Sequence, residues 1–361
     1  MINILKGNIV NKPIVLVIHG MGTHEENGVI KEVTDGLNEA AKNLGLADFD
    51  ISDRLEFVEY NYSSFLDEIR QRDAEHASSI SEHLTFLQGL GLGEEIVNEM
   101  TGLLADFNED EMLYTHWLDV IYYGLMFWGE RIRVDFAKKI NDVMITANEG
   151  AKDVHIIAHS LGTAITHDTL VKLYRGDVDI TTMVPGLDIN KFKIKSLWTV
   201  ANVSRLLFLL NDIKDPNESI VDASYTGCCD HFVNVRNYFD PFTWFKQYNN
   251  DVGDYQLIEI DTIRILNTHD LTEYMASPDV ADYLFGYMLG IPITEEMMSS
   301  ARLEHGKTSL NKPLDELKLA FSDLRSQSSP VGRVEALKQL FTSAKVFKDR
   351  LHDIIEGDDN E

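Results

Sequence analysis

Short apolar runs and longer amphipathic stretches alternate along this chain. Residues 13–18 are continuously apolar and residues 154–158 are mostly so, which is typical of strands buried on both faces of a parallel sheet. Residues 55–60 alternate between apolar and polar positions and predict another strand. Further along, residues 232–239 predict a strand, and residues 257–266 predict either one strand or two short ones. These segments predict the framework of a sheet.

Helical periodicity fills much of the remaining chain. Candidate helices cover residues 65–88, 94–106 and 113–146, and residues 292–356 return to apolar positions spaced three and four apart. Strands that alternate with helices predict an α/β fold, with a mostly parallel sheet, helices on both faces, a helical insertion and a helical C-terminal extension. The insertion, at about residues 65–110, is longer than a crossover needs. It has two interpretations, a mobile lid near the site or a helical segment packed permanently on the core.

A serine lies at the predicted junction between the strand at 154–158 and the helix that follows. The sequence there is Ala158-His-Ser-Leu-Gly162, so Ser160 occupies the turn with a small residue two positions before it and two after it. Small residues let the strand and helix pass closely, and a strained turn projects the hydroxyl. The helix N-terminus directs N–H groups at negative charge on a bound acyl group. The pattern predicts Ser160 as a nucleophile, and the alternative is a connection that merely contains a serine.

The first predicted strand ends in a segment with two glycines, His19-Gly-Met-Gly-Thr-His24. Glycines allow the backbone to fold tightly beside a substrate, and its N–H groups can then donate to an oxyanion. The alternative is a glycine turn that binds nothing.

The serine turn and the His19-Gly20 pair together resemble the α/β-hydrolase superfamily, and within it the lipase-like serine esterases. The resemblance covers roughly residues 10–60 and 110–290. It implies an α/β-hydrolase fold and oxyanion donors at the backbone N–H groups of Met21 and Leu161. It also implies an acid and a histidine that follow the serine, in that order along the chain.

Asp240 and His269 are the candidates for these two positions. Asp240 directly follows the strand predicted at 232–239, and the proline after it helps to fix the loop that presents the carboxylate. Three histidines follow Asp240, and two of them, His305 and His352, lie in charged helical segments. This leaves His269 as the candidate base.

By this resemblance, His269 takes the proton of Ser160 during attack and returns it to the leaving group, while Asp240 orients and stabilises the imidazole. Asp230 is the second choice for the acid because it precedes its strand. Taken singly, Asp240 is also consistent with a turn cap and His269 with a polar loop residue. Three candidates in the required order favour the catalytic interpretation. Tyr274, five residues after the histidine, matches the way these domains close on a final helix.

The composition narrows the classes of partner. The chain has 361 residues and a formal net charge of −27, and without a dense basic cluster this argues against nucleic acid and against adsorption to an anionic membrane. Cys228 and Cys229 are adjacent, which makes an intrachain disulfide implausible and fits a reducing compartment. A metal site at residues 228–231 lacks the usual ligand spacing. We therefore expect no metal and no organic cofactor.

The predicted organisation is a core at residues 1–291 that carries the insertion, followed by a helical extension at residues 292–361 with a short acidic tail. Residues 1–6 lack the basic start and long apolar stretch of a signal peptide. The longest apolar run, residues 120–128, is too short to span a bilayer. These features predict a cytoplasmic protein with no stable membrane insertion.

The predicted function is a serine hydrolase that cleaves carboxylic esters through an acyl-enzyme, with a small ester, a lipid ester or a thioester as substrate. Two alternatives stay open. One is acyl transfer by the same three residues. The other is a hydrolase-fold module for binding or assembly, in which the helices at residues 292–356 bind a protein partner or a second copy of the chain.

Overall fold

Parallel strands form the centre of the structure. The computed structural model describes residues 11–46, 48–75, 119–120, 123, 128–185, 187–188, 190–208, 215–249, 252–310, 314–327 and 333–358. The strands in these ranges are β1 (Ile14–Ile18), β2 (Glu56–Tyr60), β3 (Val154–His159), β4 (Ile194–Val200), β5 (Cys229–Asn237) and β6 (Tyr255–Ile260). They form one sheet in the order β2-β1-β3-β4-β5-β6, and each neighbouring pair is parallel.

The parallel sheet predicted from the apolar runs is confirmed, but some strand boundaries differ. The predicted segments 232–239 and 257–266 begin after the first residues of β5 and β6 and extend past the ends of these strands. β6 is an edge strand whose partner is β5, and it ends at Ile260 because β5 leaves the sheet there. β4 was missed by the sequence analysis, because Lys195 and Ser196 interrupt its apolar run.

Helices cover both faces of this sheet. Those in the described ranges are α1 (Gly28–Asn43), α2 (Ser63–Glu75), α3 (Trp128–Gly150), α4 (Leu161–Arg175), α5 (Val178–Thr181), α6 (Ser204–Leu207), α7 (Leu271–Ala276), α8 (Pro278–Leu289), α9 (Glu295–Gly306), α10 (Leu314–Ala320), α11 (Ser322–Arg325) and α12 (Arg333–Asp358). The apolar side chains of α1, α7, α8 and α9 form the layer on one face. Those of α3, α4, α6, α10, α11 and α12 form the layer on the other.

The helices predicted before β3 are described only in part. The prediction at 113–146 overlaps α3, which continues to Gly150. The prediction at 65–88 corresponds to α2 in its first part, and its remainder lies outside the described residues, as does the prediction at 94–106. The two interpretations of the insertion therefore also fall outside them. Among the helices that are described, none has the length and apolar character needed to cross a membrane.

The order in which strands are added to the sheet reverses between β1 and β3: β2 lies on the outer side of β1, and β4, β5 and β6 follow on the other side of β3. These two strands are neighbours in the sheet, but α1, which follows β1, and α4, which follows β3, lie on opposite faces. The loops that leave the C-terminal ends of the two strands therefore diverge, and such a crevice is where open parallel sheets bind ligands. The segment beginning at His19 follows β1, and Ser160 follows β3. The two sequence motifs thus meet at this crevice.

The C-terminal extension shares the apolar layers of the sheet. Met298 and Ala301 of α9 are buried in the layer that contains α1. Phe341 and Phe347 of α12 are buried in the layer that contains α4. Within the described residues, the buried side chains of the extension thus belong to the same apolar clusters as the sheet.

Replacing Phe341 by alanine should destabilise the whole described fold, not α12 alone. Phe341 is fully buried, so its removal leaves a cavity in the layer beneath the sheet and should lower the free energy of unfolding by about 3 kcal/mol or more. Leu319→Ala is the control, because Leu319 is 75% exposed and its loss should change stability by less than about 0.5 kcal/mol. Denaturant unfolding followed by circular dichroism measures both. Two separate transitions, with Phe341→Ala shifting just one, would contradict a shared core.

Candidate active site

The turn between β3 and α4 holds Ser160 in a strained conformation. Its φ is 52° and its ψ is −124°, a region that non-glycine residues rarely occupy and that costs about 1–3 kcal/mol. Backbone hydrogen bonds hold it there: the Ser160 N–H donates to the Val200 carbonyl at 2.9 Å, and the Ser160 carbonyl accepts from the N–H and the hydroxyl of Thr163 at 2.8 and 2.6 Å. The sheet and the first turn of α4 thus fix the direction of the serine side chain.

Two glycines allow the backbone to pack this closely. A Cβ on Gly162 would lie 2.5 Å from the carbonyl oxygen of His19, and a Cβ on Gly20 would lie 2.7 Å from the Cβ of Ser160. Neither distance leaves room for a methyl group. The two glycines therefore allow the loop after β1 to pack directly against the serine turn.

Ser160, His269 and Asp240 form one line of hydrogen bonds. The Ser160 Oγ lies 2.7 Å from His269 Nε2, and His269 Nδ1 lies 2.7 Å from Asp240 Oδ2. A carboxylate only accepts, so the proton of the neutral imidazole is on Nδ1, and Nε2 accepts from the serine hydroxyl. The structure therefore brings together the three residues that sequence analysis selected, although 109 positions separate the serine from the histidine.

The Asp240 carboxylate is fully buried and well supplied with donors. Besides His269, the Phe242 N–H donates to Oδ1 at 2.9 Å and the Tyr274 hydroxyl donates to Oδ2 at 2.7 Å. A buried charge is tolerated when its acceptor positions are filled in this way. Burial and the charge of Asp240 raise the pKa of Tyr274 well above its ordinary value, so Tyr274 remains a donor at neutral pH.

The loop that carries His269 is held from three sides. The Nε2 of His159, the residue before the serine, lies 3.0 Å from the His269 carbonyl oxygen and donates to it. The Thr268 hydroxyl donates to the Phe239 carbonyl at 2.9 Å, which ties the loop to the end of β5. The Phe242 ring packs on the imidazole, with their centroids 4.4 Å apart. β6 ends nine residues before His269. The histidine is therefore positioned by these contacts and not by the end of a strand.

The loop after β1 is fixed by the residues that follow β2. The Tyr62 ring stacks on the His19 imidazole at 3.9 Å, and the Tyr62 hydroxyl donates to the Gly20 carbonyl. The Tyr62 N–H donates to His19 Nε2 at 3.1 Å, while His19 Nδ1 donates to the Gly20 carbonyl at 2.8 Å. His19 thus acts as a structural link, and the adjoining peptide groups have defined directions.

Further contacts hold the second half of this loop. The Gly22 N–H donates to the buried carboxylate of Asp119 at 2.7 Å, and the Ser63 hydroxyl donates to the Gly22 carbonyl at 3.1 Å. Burial lowers the pKa of His24, but its hydrogen bond and charge interaction with Glu32 outweigh burial, and the pKa of His24 lies above its ordinary value. The contact with Glu32, at 3.5 Å, joins His24 to α1.

The two predicted oxyanion donors lie beside the serine. Leu161 follows Ser160 and begins α4, so its N–H has no acceptor one turn earlier in the helix. Met21 follows Gly20, and a Cβ on Gly20 would lie 3.3 Å from the Ser160 Oγ. Both residues are buried. Leu161 thus follows the serine directly, and Met21 follows a glycine that packs against the serine side chain.

Other candidates from the sequence lie elsewhere. Asp230, the second choice for the acid, is exposed and forms ion pairs with Lys193 and Lys195 at 3.6 and 3.3 Å. His305 is buried on α9, where burial and the neighbouring Arg264 lower its pKa to about 4, and His352 is exposed on α12. Cys228 and Cys229 are buried free thiols. In the described ranges, no cluster of three or more histidine, cysteine or acidic side chains is placed to hold a metal ion.

Several residues that position the site, among them His159, Tyr274, Phe242 and Asp119, had no assigned role in the sequence analysis. His159 was quoted as part of the serine motif, and Tyr274 was noted for its spacing from the histidine. Phe242 and Asp119 carried no signal, because their contacts join segments that are distant along the chain. The histidine of the motif and the tyrosine spacing are the signals that could have pointed to positioning roles.

Comparisons with protein-family models, with curated proteins and with solved structures gave no match. The functional assignment therefore depends on the geometry of the site.

Gly162→Ala should disrupt the serine turn. The added methyl group must displace the His19 carbonyl, which lies 2.5 Å from its position, and we expect a loss of about 1–3 kcal/mol in the free energy of unfolding together with a misdirected Ser160. Gly286→Ala is the matched control, because nothing lies within 4 Å of that position in α8 and alanine favours the helix. Thermal unfolding and the rate of fluorophosphonate labelling measure the two effects. Unchanged values for Gly162→Ala would contradict the close approach.

Proposed function

We propose that this protein is a serine hydrolase that cleaves carboxylic esters through an acyl-enzyme. The observation that carries the proposal is the line from the Ser160 hydroxyl through His269 to Asp240, with both hydrogen bonds at 2.7 Å. A serine, a base within hydrogen-bond reach and a third group that orients the base are the arrangement required for covalent acyl transfer.

The position of the line in the fold supports this proposal. Ser160 stands at the crevice between β1 and β3, where doubly wound sheets bind ligands. The serine turn passes from a strand directly into a helix, as in the nucleophile elbow of α/β-hydrolases. The parallel order of the strands and the chain order of serine, acid and histidine agree with an α/β-hydrolase, which is the fold family we propose.

The first half of the reaction forms the acyl-enzyme. Ser160 Oγ attacks the ester carbonyl carbon while His269 Nε2 takes the hydroxyl proton, which gives a tetrahedral intermediate and an imidazolium. Asp240 stabilises that imidazolium through the Nδ1–H bond. Nε2 then gives the proton to the alcohol oxygen, the C–O bond breaks and the alcohol leaves.

The oxyanion of the intermediate needs donors that do not have to reorient. We assign this role to the backbone N–H groups of Leu161 and Met21, since the first lies at a helix N-terminus and the second on a loop held by Tyr62 and Asp119. Preorganised donors of this kind contribute about 3–4 kcal/mol each to transition-state stabilisation. The rigid loop after β1 therefore has a direct use in the reaction.

The second half of the reaction returns the enzyme. A water molecule attacks the acyl carbon while His269 Nε2 takes its proton, and the same nitrogen then returns that proton to Ser160 Oγ as the carboxylic acid leaves. These steps use the side chains and backbone named above.

Ser160→Ala should remove esterase turnover and fluorophosphonate labelling without loss of the fold. The hydroxyl is the group that reacts, and alanine fits the space of a serine. Purified protein is treated with a fluorophosphonate, the adduct is located by mass spectrometry, and hydrolysis of short esters is followed in parallel. Ser300→Ala is the control, because Ser300 lies exposed on α9.

A stoichiometric adduct on Ser160 that Ser300→Ala retains is the expected result. Ester hydrolysis that survives Ser160→Ala would overturn the proposal. Absence of both labelling and turnover would favour the alternative of a hydrolase-fold binding module.

Tyr274→Phe should weaken catalysis by loosening the hold on Asp240. The substitution removes one donor from the buried carboxylate and leaves the Asn237 N–H, which donates to the Tyr274 oxygen at 3.0 Å, without this acceptor. We expect kcat/KM to fall by about tenfold, which corresponds to a loss of about 1.4 kcal/mol of transition-state stabilisation. The loss should fall on kcat and leave KM for a short ester nearly unchanged, because Tyr274 acts on the substrate only through Asp240 and His269.

Tyr283→Phe provides the comparison, since its hydroxyl bonds His231 at 2.9 Å, away from the reaction line. Equal stability losses in the two variants with an unchanged kcat for Tyr274→Phe would assign Tyr274 a purely structural role.

A further inference from the structure

A cleft that is open to solvent lies beside His269. One wall comes from the loops after β5 and β6, and the opposite wall comes from α12. The reaction described above uses no residue of α12. The cleft therefore joins the C-terminal extension to the proposed active site.

The lining of the cleft is mostly apolar. Phe242 and Leu266 lie on the loop side, and Ala344 and Phe347 lie on the helix side, with Lys348 at the edge. Leu266 is 43% exposed although it is a large aliphatic residue. Apolar surface exposed to water costs about 25 cal/mol per Å², so a hydrocarbon group that fills the cleft gains affinity from this surface.

The cleft is placed on the histidine side of the proposed site. His269 lines it, whereas Ser160 and the two residues assigned as oxyanion donors do not. In the tetrahedral intermediate, the atom that must approach His269 Nε2 is the oxygen of the leaving alcohol, because Nε2 protonates it. The carbon chain attached to that oxygen therefore lies on the side of His269, the residue that the proposed site and the cleft share.

We propose that this cleft binds the hydrocarbon part of the ester's alcohol, and that α12 is a specificity-determining element of the enzyme. The inference rests on the proposed function. The packing of α12 supports it: the Phe341 ring meets the Phe242 ring edge-on at 5.7 Å, and the Phe242 ring lies 4.4 Å from the imidazole. The same helix thus forms a wall of the cleft and supports the aromatic ring beside the base.

Two ester series separate the alcohol from the acyl group. In the first, acetate esters carry alcohols from ethyl to octyl. In the second, ethyl esters carry acids from acetic to octanoic. We expect Leu266→Gln to lower kcat/KM for octyl acetate by about tenfold relative to ethyl acetate, because it makes the rim of the cleft polar. The ratio of ethyl octanoate to ethyl acetate should not change. The matched control is Leu303→Gln, since Leu303 is 67% exposed on α9 and does not line the cleft.

A second variant fills the cleft from the other wall. Ala344→Leu should also lower kcat/KM for the longest alcohol relative to ethyl acetate, and Thr342→Leu, at an exposed position of the same helix, should not. A cooperative unfolding transition shows that each variant is folded. If Ala344→Leu does not fold, Leu266→Gln still tests the inference.

The outcomes distinguish this inference from the proposed function. If hydrolysis of ethyl acetate depends on Ser160 but neither variant changes the alcohol ratio, the proposed function stands and the inference is wrong. A change confined to the acyl series would assign the cleft to the acyl chain and also overturn it. Hydrolysis that survives Ser160→Ala would remove the proposed function, and the inference with it.

Discussion

The arrangement of the site depends on the contact between the carbonyl of His19 and the first turn of α4 at Gly162. A Cβ at this position would lie 2.5 Å from that carbonyl oxygen, so the approach is possible with glycine alone. It brings the loop after β1 against the strained turn of Ser160. The strain at Ser160 is sustained by hydrogen bonds to β4 and α4.

The buried charge of Asp240 imposes a second constraint. The carboxylate is inaccessible to water and depends on donors from three parts of the chain: His269, Tyr274 of α7 and the Phe242 N–H. Each donor is needed because an unpaired buried charge would cost several kcal/mol. The requirement to satisfy this charge therefore links β5, the loop after β6 and α7, and the same links orient the imidazole toward Ser160.

Aromatic packing extends this arrangement into the C-terminal extension. Phe341 of α12 contacts Phe242, which in turn contacts the imidazole of His269, and Phe347 packs with Trp244 and Phe321 in the same layer. A helix that lies outside the region of family resemblance thus helps to support the imidazole of His269. Its burial against the sheet explains why the extension carries a regular apolar stripe.

The sequence by itself determined the parallel sheet and the strand-turn-helix around Ser160, because these depend on local pattern. The choice of Asp240 and His269 followed from the chain order that the family resemblance implies. The sequence analysis missed β4, where polar residues interrupt the apolar run, and it placed the end of the edge strand β6 too late, because β6 extends only as far as its partner β5. Only the tertiary structure decided that His159 holds the loop of His269 and that α12 forms a wall of the cleft beside His269. Such contacts join residues about a hundred positions apart, and no local pattern of hydrophobic and polar residues encodes which distant segments will meet.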